Sequence, residues 1–274
     1  NGQREKAEGV KWTGSTSQLW DYQTENWMLD GAATTFVAGD EIVFDDTTDK
    51  TTVKIDQLIP TGGVEVNSTQ RYTFTGNGGL SGEGSLTKNG TGTLTLAANK
   101  SDYTGATIIN EGTVVVKDLA DGGQPSSIGA ASASSANLQI GKATLTVENT
   151  NAATNRAMTL TDTATVNIPS GTTAFKGNIT GKGVLRKTGN GQLNITYSAA
   201  TTYTGGTILH AGTLAQGTWK ATFGAATSPL HVTGNATIVQ FDVNSSSTMP
   251  DFQNALTIDA GKTLTFKASS RGNV

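Results

Sequence analysis

Few side chains in this sequence could do chemistry, and they fall in three places. His210 and His231 are its two histidines. Their separation is close to one solenoid coil of about 20 to 25 residues, so stacking would bring both imidazoles to one face, where they could share a metal ion or a proton. No carboxylate lies beside either in sequence, and coincidence is the plainer reading. Asp40, Glu41, Asp45, Asp46 and Asp49 form the densest acidic cluster, and Asp45, Asp46 and Asp49 are its candidate ligands for a hard cation such as calcium. The cluster lacks the glycine and closing glutamate of an EF-hand loop, and a solvated acidic turn accounts for it without a cation. Trp12, Trp20, Tyr22 and Trp27 crowd into the opening segment. Indole and phenol faces stack on sugar rings, which makes these four the candidate carbohydrate-binding residues; the competing reading is a buried aromatic cap.

Activated nucleophiles are not legible. The chain has no cysteine, which excludes disulfides, thiolate metal sites and a cysteine nucleophile. Gly79-Leu80-Ser81-Gly82-Glu83 lacks the last glycine of a nucleophile elbow. Gly177 to Gly183 imitates a phosphate loop but is one residue short before its Gly-Lys pair, and Gly183 stands where a magnesium-binding hydroxyl is needed. A polysaccharide lyase would need clustered carboxylates beside a basic arginine or lysine. The arginines at 4, 71, 156, 186 and 271 sit in no visible acidic constellation, so no catalytic residue is assigned.

These residues must be positioned by strands. Only 35% of the chain is hydrophobic and 6% aromatic, while glycine, at 34 residues, and threonine are abundant, a balance that suits narrow strands and many turns. Apolar and hydroxyl residues alternate in Thr93–Leu96, Thr144–Val147, Thr163–Ile168 and Thr263–Phe266, with the apolar set expected inward. The serine-rich stretch Ile128 to Ala136 reads as a loop, and no segment reads as a helix. A net charge of -3 gives nothing to attract nucleic acid, and apolar runs such as Val114 to Val116 are far short of the roughly 18 residues that span a bilayer. The chain begins at Asn1 without a methionine or an apolar leader, and a strand ends close to Val274. Both suggest a mature or excised piece of a longer protein whose stack continues.

An internal repeat governs the architecture. Gly82, Gly84, Leu86, Lys88, Gly90, Gly92 and Leu94 return as Gly181, Gly183, Leu185, Lys187, Gly189, Gly191 and Leu193. After a one-residue insertion, Tyr103, Gly105, Thr107, Ile108, Gly112 and Thr113 return as Tyr203, Gly205, Thr207, Ile208, Gly212 and Thr213. Repetition of this kind indicates stacking, where each level places the same residue over its predecessor. The expected fold is all-β, a right-handed parallel β-helix with an aromatic-rich N-terminal cap over residues 1–50 and the helix over 51–274, its glycine-rich repeats at 82–114 and 181–214. An antiparallel β-sandwich or barrel is the alternative, favoured by hairpin signals such as Asn89-Gly90.

The two glycine-rich copies resemble the autotransporter-associated β-strand repeat, with its G-x-G-x-L-x-K-x-G-x-G-x-L core followed by Y-T-G-x-T and G-T-L/V. The resemblance implies a right-handed β-helix in a secreted or outer-surface protein of a Gram-negative bacterium. It implies an adhesin-like passenger or stalk that aids secretion by folding outside the cell. The expected function is therefore non-catalytic, with surface glycans or proteins as partners, no cofactor other than a calcium ion, and no membrane insertion by this segment. A carbohydrate-binding module and a β-helical polysaccharide lyase are the alternatives.

Overall fold

The computed structural model describes residues 4–196, 201–216, 222–241 and 253–269. They form two compact units, Asn1–Ser132 and Ala133–Val274, each a β-solenoid of stacked parallel strands. Antiparallel pairing among the described residues is confined to Val10–Thr34 and an isolated bridge between Ser101 and Ser126, so the sandwich and barrel are ruled out. No α-helix occurs among the described residues, and the Ile128 to Ala136 stretch is loop up to a short 3-10 turn at Ser135–Asn137.

Alternation explains the stacking. A strand with an apolar residue at every second position buries that set completely only when another strand of the same phase lies above and below it. In the first unit the buried column runs Val10, Ile42, Val64, Leu86, each opposite the next. A second runs Val53, Phe74, Leu96, Val116, and a third runs Tyr72, Leu94, Val114. In the second unit two successive coils contribute three strands each, Met158–Leu160, Thr163–Asn167 and Thr172–Phe175, then Ile179–Gly181, Val184–Thr188 and Gln192–Ile195, and the later coils contribute two, as in Thr207–Leu209 and Gly212–Gln216. One of its columns is Leu193, Leu214, Ile238, Phe266. Phe266, the last described member of that column, is 53% exposed. Each enclosed Leu, Ile or Val contributes about 1.5–3 kcal/mol through burial.

The repeat glycines stack as well. A Cβ placed on Gly84 would strike the backbone of Gly62, one on Gly105 would strike Gly84, and one on Gly205 would strike Gly183. Coil corners approach more closely than a side chain allows, which is why the same glycines recur in both copies. The Tyr-Thr-Gly-x-Thr segment has a separate cause. Tyr103 and Tyr203 are buried, each hydroxyl lies 2.7 Å from the Oγ1 of Thr107 or Thr207, and Gly129 or Gly224 roofs the ring where any Cβ would collide with it.

Candidate binding surface

The aromatic residues of the opening segment face inward. The strand Trp27–Leu29 pairs antiparallel with Val10–Trp12, setting Trp27 opposite Trp12. Their rings meet edge to face at 4.9 Å, and Trp20 meets Trp27 at the same distance and Phe36 at 5.5 Å. Trp12 Nε1 donates to Lys50 O at 2.7 Å. Trp12, Trp20 and Trp27 are at most 1% exposed, so none offers a ring face to a sugar. Of the four aromatics proposed as a carbohydrate platform only Tyr22 keeps surface; it leans on Phe36 at 5.4 Å, and burial pushes its phenol up. The cluster is packed ring against ring in the interior of the first unit.

The acidic cluster is occupied by protein donors. Asp40 is buried beneath a bidentate contact from Arg4, at 2.7 and 2.6 Å, and also accepts from Ala7 N and Val37 N. Asp45 pairs with Lys11 at 2.8 Å and accepts from Thr47 N. Burial pushes the Asp45 carboxyl up, but the hydrogen bonds from Lys11 and Thr47 and the charge of Lys11 outweigh it and hold it below the usual range. Asp46 accepts from Ser68, Thr69 and Gln70, with the Ser68 bond the main cause of its lowered pKa. Asp49 is exposed and lies 3.2 Å from Lys50. Asp45, Asp46 and Asp49 thus point to different partners, and among the described residues no three His, Cys, Asp or Glu side chains gather to hold a metal ion.

The histidines do not stack. The coil between them is longer than their spacing, so His231 lies opposite Ile208 and Thr257. His210 Nδ1 instead meets Thr233 Oγ1 at 3.0 Å, and His231 Nε2 meets Asp259 Oδ1 at 2.6 Å. Asp259 comes from the following coil, a partner that local sequence could not supply. The phosphate-loop imitation is a coil corner: Ile179–Gly181 is a strand, and Gly177 sits against the backbone of Arg156.

What the outer faces present is a set of polar ladders. Asn110 donates to Asn89 Oδ1 and Asn89 donates to Glu65 Oε1, both at 2.9 Å. In the second unit Asn167 donates to Thr146 Oγ1 at 3.2 Å and Thr188 donates to Asn167 Oδ1 at 3.1 Å. Thr213, Thr237 and Thr265 stand in register on successive strands, beside a shallow depression of about 370 Å³ that Asn235 and Thr263 also line. Each ladder offers a hydroxyl or amide at every strand spacing of about 4.8 Å.

Two functional-looking residues escaped sequence reasoning. Lys88 and Lys187, the lysines of the repeat, are buried within the aliphatic columns. Lys88 Nζ donates to Asn89 O, Gly90 O and Glu111 O at 2.7, 2.5 and 3.2 Å; Lys187 Nζ donates to Thr188 O, Gly189 O and Ala211 O at 2.7, 2.8 and 3.2 Å. Burial pushes both ammonium groups down to about 8 from 10.5. A lowered lysine pKa means that the fold binds fewer protons than the unfolded chain between those values, so stability rises with pH across that interval. Burial also pushes the phenols of Tyr72 and Tyr203 up, which favours unfolding once free tyrosine ionises near pH 10. Urea midpoints are therefore expected to climb from pH 8 to about 10 and then fall, and the climb should be absent in a Lys88→Met, Lys187→Met double variant. A flat wild-type profile would contradict the inward placement of the two lysines.

Comparison with known proteins falls on the same residues. The Passenger-associated-transport-repeat family model matches residues 86–116 and 185–215, the two stretches that hold these lysines. The chain is similar to the adhesin BmaC autotransporter of Brucella suis biovar 1 (strain 1330), with 38% identity over 144 residues, or 51% of this chain. It spans 4% of the length of that relative. No solved structure matches.

Proposed function

We propose that this chain is a non-catalytic, adhesin-like segment of a larger passenger on the surface of a Gram-negative bacterium. The observation that carries the reading is the coincidence of the two transport repeats with the stacked, lysine-bearing coils, together with similarity to an autotransporter adhesin. Its mechanism is geometric. Within each unit, coils held by parallel ladders and aliphatic columns make a stiff support, the first capped by the aromatic segment within residues 1–50, and the outer hydroxyl and amide ladders make many weak contacts to surface glycans or proteins. Coil-by-coil folding outside the cell would also favour outward movement of the chain, because each coil needs only its predecessor as a template.

For the glycan part, the Thr213, Thr237 and Thr265 ladder is the face to test. Affinity electrophoresis through neutral plant and mucin glycans is expected to retard the protein, and replacing the three threonines by valine should abolish the retardation. In a Trp219→Phe background, tryptophan emission should stay constant on binding, since Trp12, Trp20 and Trp27 are enclosed. Free migration through every glycan would remove sugars from the partner class. Retardation with a shifted emission would move the site to the aromatic segment and revive the carbohydrate-module reading.

A further inference from the structure

Stacked coils of one pattern face a register problem. A slip of one residue turns every aliphatic side chain outward and is strongly disfavoured, but a slip of two restores the same phase and leaves apolar facing apolar. In the strand Val184–Thr188 the inward residues are Leu185 and Lys187; Ala164 and Val166 lie opposite them on one side, and Thr207 and Leu209 on the other. An aliphatic residue at 187 would pack acceptably in either register. A lysine would not, because the third acceptor of its ammonium is a carbonyl of the next coil, Glu111 O or Ala211 O, which reaches it only where the corners are superposed.

Both copies solve this in the same way. Each Nζ takes two carbonyls from the corner of its own coil and one from the corner of the next, Glu111 O or Ala211 O. The glycine that follows the distant acceptor, Gly112 or Gly212, has a positive φ of 73° or 69°. A Cβ on Gly112 would come within 2.7 Å of Lys88 Nζ, so the glycine also leaves the ammonium its space. Val66 and Ile109 lie opposite Lys88, and Val166 and Leu209 lie opposite Lys187, so the aliphatic stems pack within the columns.

We propose that Lys88 and Lys187 are register keys, buried cations that fix which corner stacks on which and so exclude the two-residue slip left open by the aliphatic pattern. The physical logic is that of a single polar residue inside a coiled-coil seam, which selects one alignment at a cost in stability.

The absence of native cysteine permits a direct test by disulfide trapping during refolding. Arg186 and Ile208 are opposite one another, so Arg186→Cys with Ile208→Cys reports the native register. Arg186→Cys with His210→Cys reports the slip, because that diagonal, at about 7–8 Å in the native ladder, is too long for a disulfide. With Lys187 present, the first pair should close and the second remain as thiols. With Lys187→Met, closely matched in size, the native pair should close less and the slipped pair several-fold more. Thr87→Cys with Ile108→Cys, against Thr87→Cys with Asn110→Cys, asks the same of Lys88→Met in the first unit. Identical crosslinking in the lysine and methionine backgrounds would overturn the proposal. Loss of the cooperative melt in both methionine variants would also overturn it, by showing that the lysines hold the fold together rather than select its alignment.

Discussion

Leu94→Asp is expected to unfold the first unit under conditions where the wild type is intact. Leu94 is fully buried, between Tyr72 and Val114 on the strands to either side. An aspartate there would place a carboxylate between Val114 and the ring of Tyr72, whose hydroxyl already donates to Asp45 O, and would remove the packing of the leucine. The combined cost is on the order of 4 kcal/mol or more, a large part of the roughly 5–15 kcal/mol that holds a domain folded. The measurement is the urea midpoint followed by circular dichroism, with Thr95→Asp as the control. Thr95 is the next residue on the same strand and sits on the outer side opposite Thr73 and Val115, so its substitution should cost about 0.5 kcal/mol. If the two variants exchanged behaviour, the strand would be facing the other way. Equal, small losses in both would mean that the columns are not the source of stability.

The second large effect is expected at Asp40. Its enclosed carboxylate receives both arms of the Arg4 guanidinium and two backbone N–H groups, fastening the segment around Arg4 and Ala7 beside Val37. Asp40→Ala would leave the guanidinium and both N–H groups without their acceptor. Because Arg4 retains 23% of its side-chain surface, water recovers part of that loss, and the expected cost is about 2–4 kcal/mol. Asp40→Asn tests charge separately from shape: it keeps the volume but presents an NH₂ to a set of donors, and should be nearly as damaging. A double-mutant cycle with Arg4→Met isolates the ion pair, and a coupling energy near zero would show the pair to be incidental.

Much of this was legible in the residues. The alternation in Thr93–Leu96 and Thr163–Ile168 indicated which side faces inward, and the doubled glycine motif indicated coils laid on coils. The inward lysines were legible in the period too. Leu86-Thr87-Lys88 places Lys88 on the same side as Leu86, and only the general rule that lysine stays in water argues otherwise. The aromatic segment shows the opposite situation. Trp12, Trp20 and Trp27 carry the same signal whether their faces meet sugar or one another, and nothing local distinguishes a platform from a cap.

By itself, then, the sequence determined the strand period, the inward set and the repeat, because all three are properties of neighbours along the chain. The tertiary structure decided that the tryptophans are enclosed, that Asp45, Asp46 and Asp49 are committed to Lys11, Ser68 and Lys50 among others, and that His231 meets Asp259 rather than His210. Each of these depends on the number of residues spent in a coil and its corners before the chain comes back over itself. A change of two residues in that number leaves the hydrophobic pattern intact and alters every partner, so only the folded stack records which side chains meet.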